Sequence, residues 1–383
     1  MKKKILIDAS TVMDTADGLS NYIIGIIRHL PRESFNYFDY TILINPGLNR
    51  PELIEYLENN SFTILKEKIR PIGPKRDWDM YWFLKKYEAK FDLIHITSNN
   101  YPLSLKKGIC TIHDITFKRY FDSPKYALSL ATRYLNLVIG NCLKRATAVI
   151  AVSQSTKNEL INWYNLSPSD AEKITVVYEG YEHLEYSVKS SEVCDMAPLT
   201  NGYLFYLGSM RKHKNISNLI AGFKKALSGL PLSVQLVASG SERFLSQQDK
   251  NLVAEINSNA ERLVFTGYLS NACVEQYFRH CDAFVLPSLS EGFGIPVLEA
   301  FYFGKPILCS NTTSLPEVAG DAAQYFDPFS PESIGSAMVD FYNHPKLAKE
   351  LVKKGSKRLQ LFSWNKAAEE TVAVYYKVLK SDI

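Results

Sequence analysis

Apolar positions along the chain follow two alternating rhythms. Short runs rich in β-branched and aromatic residues occur at 4–9, 40–44, 93–97, 110–113, 148–152 and 174–178, and longer amphipathic stretches separate them. Strands of this length alternating with helical crossovers predict a parallel sheet. The same rhythm restarts at 203–207 and continues at 234–238, 263–266, 283–287, 307–309 and 324–326, which predicts a second sheet of the same type. Between the two series, residues 187–201 are polar, contain Pro198 and show no apolar period, as a linker should. The expected organisation is therefore an α/β domain over 1–190, a linker over 191–201 and a second α/β domain over 202–362. In the remaining 363–383, Ser363 stands where a helix N-cap belongs, and Trp364, Ala367, Ala368, Val372, Tyr375 and Val378 recur near helical spacing. Such a helix has one apolar face and must pack it on something.

Composition narrows the picture without naming a partner. The 383 residues are 46% hydrophobic and 22% charged, with a net charge of +4, so two ordinary cores are affordable in size and no dense basic stripe argues for nucleic acid. The longest apolar runs, 148–152 and 283–287, fall far short of the roughly 20 residues of a membrane-spanning helix. The opening Met1-Lys2-Lys3-Lys4-Ile5-Leu6-Ile7-Asp8 meets an aspartate after three apolar residues, so it reads as a first strand rather than a signal peptide. A cytoplasmic protein is expected. Cysteines 110, 142, 194, 273, 281 and 309 form no C-x-x-C pair, and the expectation is six reduced, mostly buried thiols with neither a zinc site nor a disulfide.

The candidate chemistry concentrates at 287–300. There a strand end leads through a turn, Glu291-Gly292-Phe293-Gly294, into a helix entered at Ile295-Pro296, and proline is favoured in the first helical turn because its missing N–H is not needed there. The amides of Gly292, Phe293 and Gly294 then lie at the positive end of a helix dipole, a place suited to oxygen-rich or anionic ligands. Glu291 and Glu299 flank this turn with seven residues between them. Either they hold sugar and ribose hydroxyls, or Glu291 complements the helix dipole while Glu299 stands exposed on the helix.

That block, continued by Gly304-Lys305-Pro306-Ile307 and Leu315-Pro316-Glu317-Val318-Ala319-Gly320, resembles the donor site of glycosyltransferase family 4. The resemblance extends over nearly the whole chain. It implies the GT-B fold: two Rossmann-like domains facing across a cleft, the nucleotide-sugar held mainly by the second, and a C-terminal helix crossing back to the first. It also implies that Glu291 contacts the transferred sugar and Glu299 the ribose. Leu207-Gly208-Ser209 with Lys214-Asn215 resembles the family's phosphate-binding element, with Lys214 as the cation on the leaving diphosphate. Ser209 stands where many relatives carry arginine, and Arg211 or Lys212 is the candidate substitute. Thr266-Gly267-Tyr268 resembles the loop that touches the base through backbone groups. In the first half, His113 at a strand end resembles the histidine that faces the donor sugar, while the neighbouring Asp114 either orients His113 or caps the next segment, the structural role being the expected one. Gly18 belongs to a weak match to the family's glycine loop, ahead of a helix expected over 19–30. Asn21 either lines the acceptor cleft or caps, and Ser153 is read as an N-cap within reach of acceptor.

The resemblance implies a retaining hexosyltransferase whose catalytic residues are Glu291, His113 and Lys214. GDP-mannose is the favoured donor, a UDP-sugar the next, and a glycan or lipid-linked acceptor of surface polysaccharide synthesis the expected partner. No Asp-x-Asp element stands at a strand end, so neither a metal nor a cofactor is expected. The pairs Lys106-Lys107 and Lys118-Arg119 and the stretch 126–144 are read as a solvated rim and a packed helix, with peripheral contact to the inner membrane face as the alternative. Competing readings are a non-catalytic nucleotide-sugar-binding or interaction protein, and a nucleotide-sugar epimerase of the same fold.

Overall fold

The computed structural model describes residues 1–14, 17–120, 130–184, 194 and 202–380. The chain forms two compact units, Met1–Gly180 with Ser363–Ile383, and Tyr181–Phe362. The division falls between Gly180 and Tyr181, ahead of the expected boundary at 190. Residues just after it are tied into the second unit: the Tyr181 ring packs 5.7 Å from that of Tyr302, and His183 meets Glu299. The expected linker, 191–201, lies outside the described residues except for Cys194.

The first unit is built on seven parallel strands in the order β3-β2-β1-β4-β5-β6-β7. They are β1 (Lys3–Asp8), β2 (Phe38–Ile44), β3 (Thr63–Lys66), β4 (Leu93–Ile96), β5 (Ile109–Ile112), β6 (Ala148–Ala151) and β7 (Ile174–Val176). The central strands β4, β5 and β6 are buried along their whole length, as expected of a sheet covered by helices on both faces. β3 was not expected from the pattern. It is a four-residue edge strand with both ends exposed, so it carries no apolar run to mark it.

The helix Gly18–Arg28 begins one residue before the expected start. Its cap is Asp17, whose side chain accepts from the Ser20 amide, so Asn21 lies within the first turn. The terminal helix Trp364–Lys380 packs on Gly18–Arg28 in the same unit, and Ser363 caps it, accepting from the Lys366 amide at 3.1 Å. The approach is close: a Cβ on Gly25 would sit 2.4 Å from the Trp364 ring, which is fully buried. Only glycine lets the two helices meet there.

The second unit carries six parallel strands in the order β10-β9-β8-β11-β12-β13. These are β8 (Tyr203–Tyr206), β9 (Gln235–Ala238), β10 (Leu263–Phe265), β11 (Ala283–Leu286), β12 (Ile307–Ser310) and β13 (Ala323–Phe326). Helices Ile216–Ala226 and Pro331–Asn343 cover one face, their contact closed by Ile334 against Gly222.

One cysteine expectation is overturned. Cys194 and Cys273 form a disulfide, their Cα atoms 5.0 Å apart. The partners are 79 residues apart in sequence, so local spacing carries no trace of a pair that the fold brings together. Cys110, Cys142, Cys281 and Cys309 are buried thiols, and burial pushes the Cys281 thiol up to about 12. Among the described residues no helix is long and apolar enough to cross a membrane, and no group of three or more His, Cys, Asp or Glu side chains is placed to hold a metal ion.

Candidate active site

In open parallel sheets, ligands bind beyond the carboxyl ends of the strands, where the strand order reverses. In the second unit that point lies between β8 and β11, and the loops leaving these two strands carry most of the expected donor-site residues. They are bound to each other. Asn215, in the left-handed region at φ 62°, donates its side-chain amide to Pro287 O at 3.0 Å and Pro328 O at 2.7 Å. The Leu289 amide donates to His213 O at 2.8 Å. The result sets Lys214 opposite Glu291, with Nζ donating to Oε1 at 2.7 Å and both side chains largely shielded from water.

The turn itself is held from the next strand connection. Thr313 Oγ1 accepts from the Glu291 amide at 3.0 Å, and Ser314 Oγ donates to Glu291 O at 3.0 Å and Phe293 O at 2.8 Å. Gly294 caps the helix Ile295–Tyr302 at φ 106°, and a Cβ there would meet Leu315 at 2.9 Å, so this turn requires glycine. Gly292 and Ile295 complete the turn. Across the switch point, Tyr206 Oη donates to Ser209 O at 3.1 Å, and the Gly208 amide donates to Ser239 Oγ at 2.9 Å. Burial, reinforced by the Glu291 charge, keeps the Tyr206 phenol protonated well above its usual range. Ser209, Arg211 and Lys212 are exposed.

Glu299 departs from the reading that left it exposed on its helix. It is buried, and Oε1 lies 3.3 Å from His183 Nε2. The base-loop candidates are placed less simply. Gly267 bridges to Gly240 through both its amide and its carbonyl, at 3.0 and 2.7 Å, so this part of its backbone is engaged within the fold. The Thr266 amide donates to Ala238 O, and the Tyr268 side chain is exposed.

In the first unit, His113 follows β5 at the carboxyl edge of the sheet. Its Nε2 lies 3.0 Å from Thr97 O and its Nδ1 3.3 Å from Glu179 Oε1. A carbonyl and a carboxylate both accept, so both ring nitrogens are placed to donate, the arrangement of an imidazolium. Burial opposes that charge, but the hydrogen bond and charge of Glu179, the Thr97 carbonyl and the Asp114 charge outweigh it and raise the His113 pKa. Tyr22 meets the ring edge-on, with centroids 4.6 Å apart. A buried polar chain runs on from Tyr22 Oη to Thr111 Oγ1 (2.8 Å), His95 Nε2 (2.9 Å) and, through His95 Nδ1, Tyr375 Oη of the terminal helix (2.7 Å). Burial first, and the His113 charge second, lower the His95 pKa to about 3.

Asp114 caps the next helix as expected, accepting from the Thr116 amide at 2.9 Å. Ser153 is fully buried and caps Gln154–Tyr164 by accepting from Thr156. Gly18 opens its helix and is exposed, while Asn21 is half-buried. Lys118 lies over the Tyr164 ring at 4.7 Å, whereas Lys106 and Lys107 are exposed. Arg119's side chain and residues 126–129 lie outside the described residues. Sequence reasoning missed Glu179, Tyr22, His95 and His183. Glu179 alone carried a signal, an acidic residue before Gly180 just beyond a strand.

Two family models match the chain in succession: Glycosyltransferase Family 4 over residues 16–183 and Glycosyl transferases group 1 over residues 197–358. The chain is 28% identical over 330 residues to O-antigen chain mannosyltransferase B of Escherichia coli, covering 85% of this chain and 83% of that protein. It is 26% identical over 268 residues to O-antigen chain mannosyltransferase RfbU of Salmonella typhimurium, covering 69% and 70%. It is also 27% identical over 316 residues to the serotype-specific mannosyltransferase WbdA of Escherichia coli, covering 79% of this chain but 37% of that longer protein. Similar solved structures include sucrose-phosphate synthase from Thermosynechococcus elongatus (TM-score 0.72, 17% identity, covering 99% and 100%). HepE from Anabaena, solved with UDP and glucose, is alike at TM-score 0.72 and 15% identity, covering 98% and 100%. With the two sheets, the paired family models and the GT-B neighbours in agreement, the chain belongs to glycosyltransferase family 4 and has the GT-B fold.

Proposed function

We propose that the chain is a retaining mannosyltransferase that moves mannose from GDP-mannose onto a glycan or lipid-linked acceptor in surface polysaccharide synthesis. The observation that carries this reading is the Lys214–Glu291 pair at the switch point of the second sheet, a cation and a carboxylate side by side where a nucleotide-sugar is expected. The mannosyltransferases among its relatives support the choice of sugar. In this mechanism Lys214 bears on the diphosphate, where negative charge grows as the C1–O bond breaks. Glu291 positions the sugar, and Glu299 takes the ribose. The acceptor hydroxyl attacks C1 from the face the phosphate leaves, forming the new C1–O bond, and its proton passes to the departing phosphate oxygen. Lysine supplies the positive charge, so the reaction proceeds without a metal and persists in EDTA.

A thermal-shift panel of GDP, UDP, ADP and dTDP tests the donor, since a ligand at about 100 times its dissociation constant stabilises the fold by about 2.7 kcal/mol. A shift with GDP alone supports mannose or a related sugar, a shift with UDP alone reassigns the donor, and no shift with any sinks the transferase reading in favour of an interaction protein. Release of GDP only when acceptor is present separates transfer from epimerisation.

A further inference from the structure

The helix Pro74–Tyr87 of the first unit turns Arg76, Met80, Phe83 and Leu84 inward. Its outward face, at the helical spacing of 75, 78, 81, 82 and 85, reads Lys, Trp, Tyr, Trp, Lys. Trp78, Tyr81 and Trp82 are 61%, 44% and 49% exposed, and their rings form one cluster with centroids 5.3 to 6.4 Å apart. Lys85 lies over the Trp82 ring at 5.0 Å. A helix facing only water carries polar residues on that side, so three touching aromatics there mark a surface that meets something less polar.

The cluster borders an open groove of about 470 Å³ whose walls include Leu103, Tyr134 and Leu137. Asp77 fixes those walls, accepting from the Leu103 amide at 2.9 Å and from the Tyr134 hydroxyl. Leu137 in the wall and the nearby Leu130 are exposed, as are Arg133 and Lys106. The two acids on the helix itself are engaged: Asp77 in the wall, and Asp79 with Arg70. The face is thus aromatic at its centre and basic at its rim.

We propose that this face seats the first unit on an anionic lipid bilayer, with Trp78, Tyr81 and Trp82 at headgroup depth and Lys75, Lys85 and Lys106 against acidic headgroups. Tryptophan and tyrosine favour that depth because each joins an apolar ring to a polar tip, and lysines beside them are drawn to acidic lipid. A second copy of the chain fits less well. A two-fold contact through this patch sets the same surface against itself and brings lysine rim against lysine rim. The seat is independent of which sugar the enzyme transfers.

The test uses the full chain with vesicles of phosphatidylcholine alone or mixed with phosphatidylglycerol, followed by cosedimentation and by tryptophan quenching with brominated lipid. Trp163→Phe removes the one other exposed tryptophan, since Trp364 is buried. The wild type is expected to bind the anionic vesicles at least tenfold more tightly than the neutral ones, with binding weakening as salt rises. Replacing Trp78, Tyr81 and Trp82 together by serine should cut that binding at least tenfold, and Lys75→Glu with Lys85→Glu should remove the preference for anionic lipid. Both variants should keep the wild-type melting temperature and nucleotide response, which shows that the units remain folded. If the aromatic variant fails to fold, quenching of the Trp163→Phe protein by brominated lipid decides alone. Equal binding by the folded variants, absence of quenching, or concentration-dependent dimerisation without vesicle binding overturns the proposal.

Discussion

The carboxyl edges of the two sheets hold their charges in different ways. In the second unit Lys214 and Glu291 ride on loops that lock together through main-chain groups: Asn215 to two carbonyls, Leu289 to His213, and Ser314 to the turn. In the first unit His113 is set by side chains drawn from several elements: Glu179 beyond β7, Tyr22 on the first helix, and then Thr111, His95 and Tyr375. A loop-borne pair can be altered with limited damage to the core, whereas a buried chain ties its chemistry to the stability of the fold. The difference predicts where substitutions act.

The largest expected effect lies in the second unit. Lys214→Ala and Glu291→Gln should each lower turnover at least about tenfold, because in the proposed mechanism Lys214 bears on the leaving diphosphate and Glu291 positions the sugar. Circular dichroism should show both variants folded. Turnover near wild type in either would remove that residue from the mechanism and break the comparison at its clearer end.

The buried chain should answer with stability instead. His95→Leu leaves the Tyr375 hydroxyl without its partner in a fully buried site, a loss expected to cost about 1–3 kcal/mol and measurable by urea unfolding. The wild type adds a pH signature. The folded pKa of His95 is lowered to about 3, so its contribution is fully present above about pH 6.5 and is lost as pH falls toward about 3. The variant should show a flatter stability profile across that window. An unchanged profile would mean that another group governs acid unfolding.

The same contrast explains what the sequence revealed. Strands such as 148–152 and 283–287 announced themselves because a buried parallel strand is an unbroken apolar run, while Thr63–Lys66 is a half-exposed edge and left no such mark. Glu291, Gly294 and Lys214 were legible because a turn needing glycine and a loop bearing a charge are local features. His113 was visible as a polar residue at a strand end, but its state was not. Glu179 lies 66 positions further on, at the end of a different strand, and only the sheet order brings β5 and β7 to either side of β6. The Cys194–Cys273 bridge and the Glu299–His183 contact escaped for the same reason. Each is a pairing made by topology between residues with no local pattern.

The smallest expected effect is a displacement of pH dependence rather than a loss of turnover, and it tests whether the charge on His113 matters. Glu179→Gln keeps the shape of the side chain and removes its charge. Burial then opposes protonation of His113 with only the Thr97 carbonyl and Asp114 left to support it, beside a neutral His95 and the Tyr22 ring, so its pKa should fall. In the wild type the raised pKa makes the pair stabilising below about pH 6.5, and that contribution is lost as pH rises through the folded value; in the variant the loss should come at lower pH. An NMR titration of the His113 ring, assigned by comparison with His113→Gln, reads this without any assay of turnover. If the cation serves the reaction, the alkaline limb of kcat/KM should move to lower pH by the same displacement, with turnover at low pH retained. A ring titration that does not move would show that Glu179 does not govern His113, and one that moves while kcat/KM stays fixed would assign the charge to the fold alone.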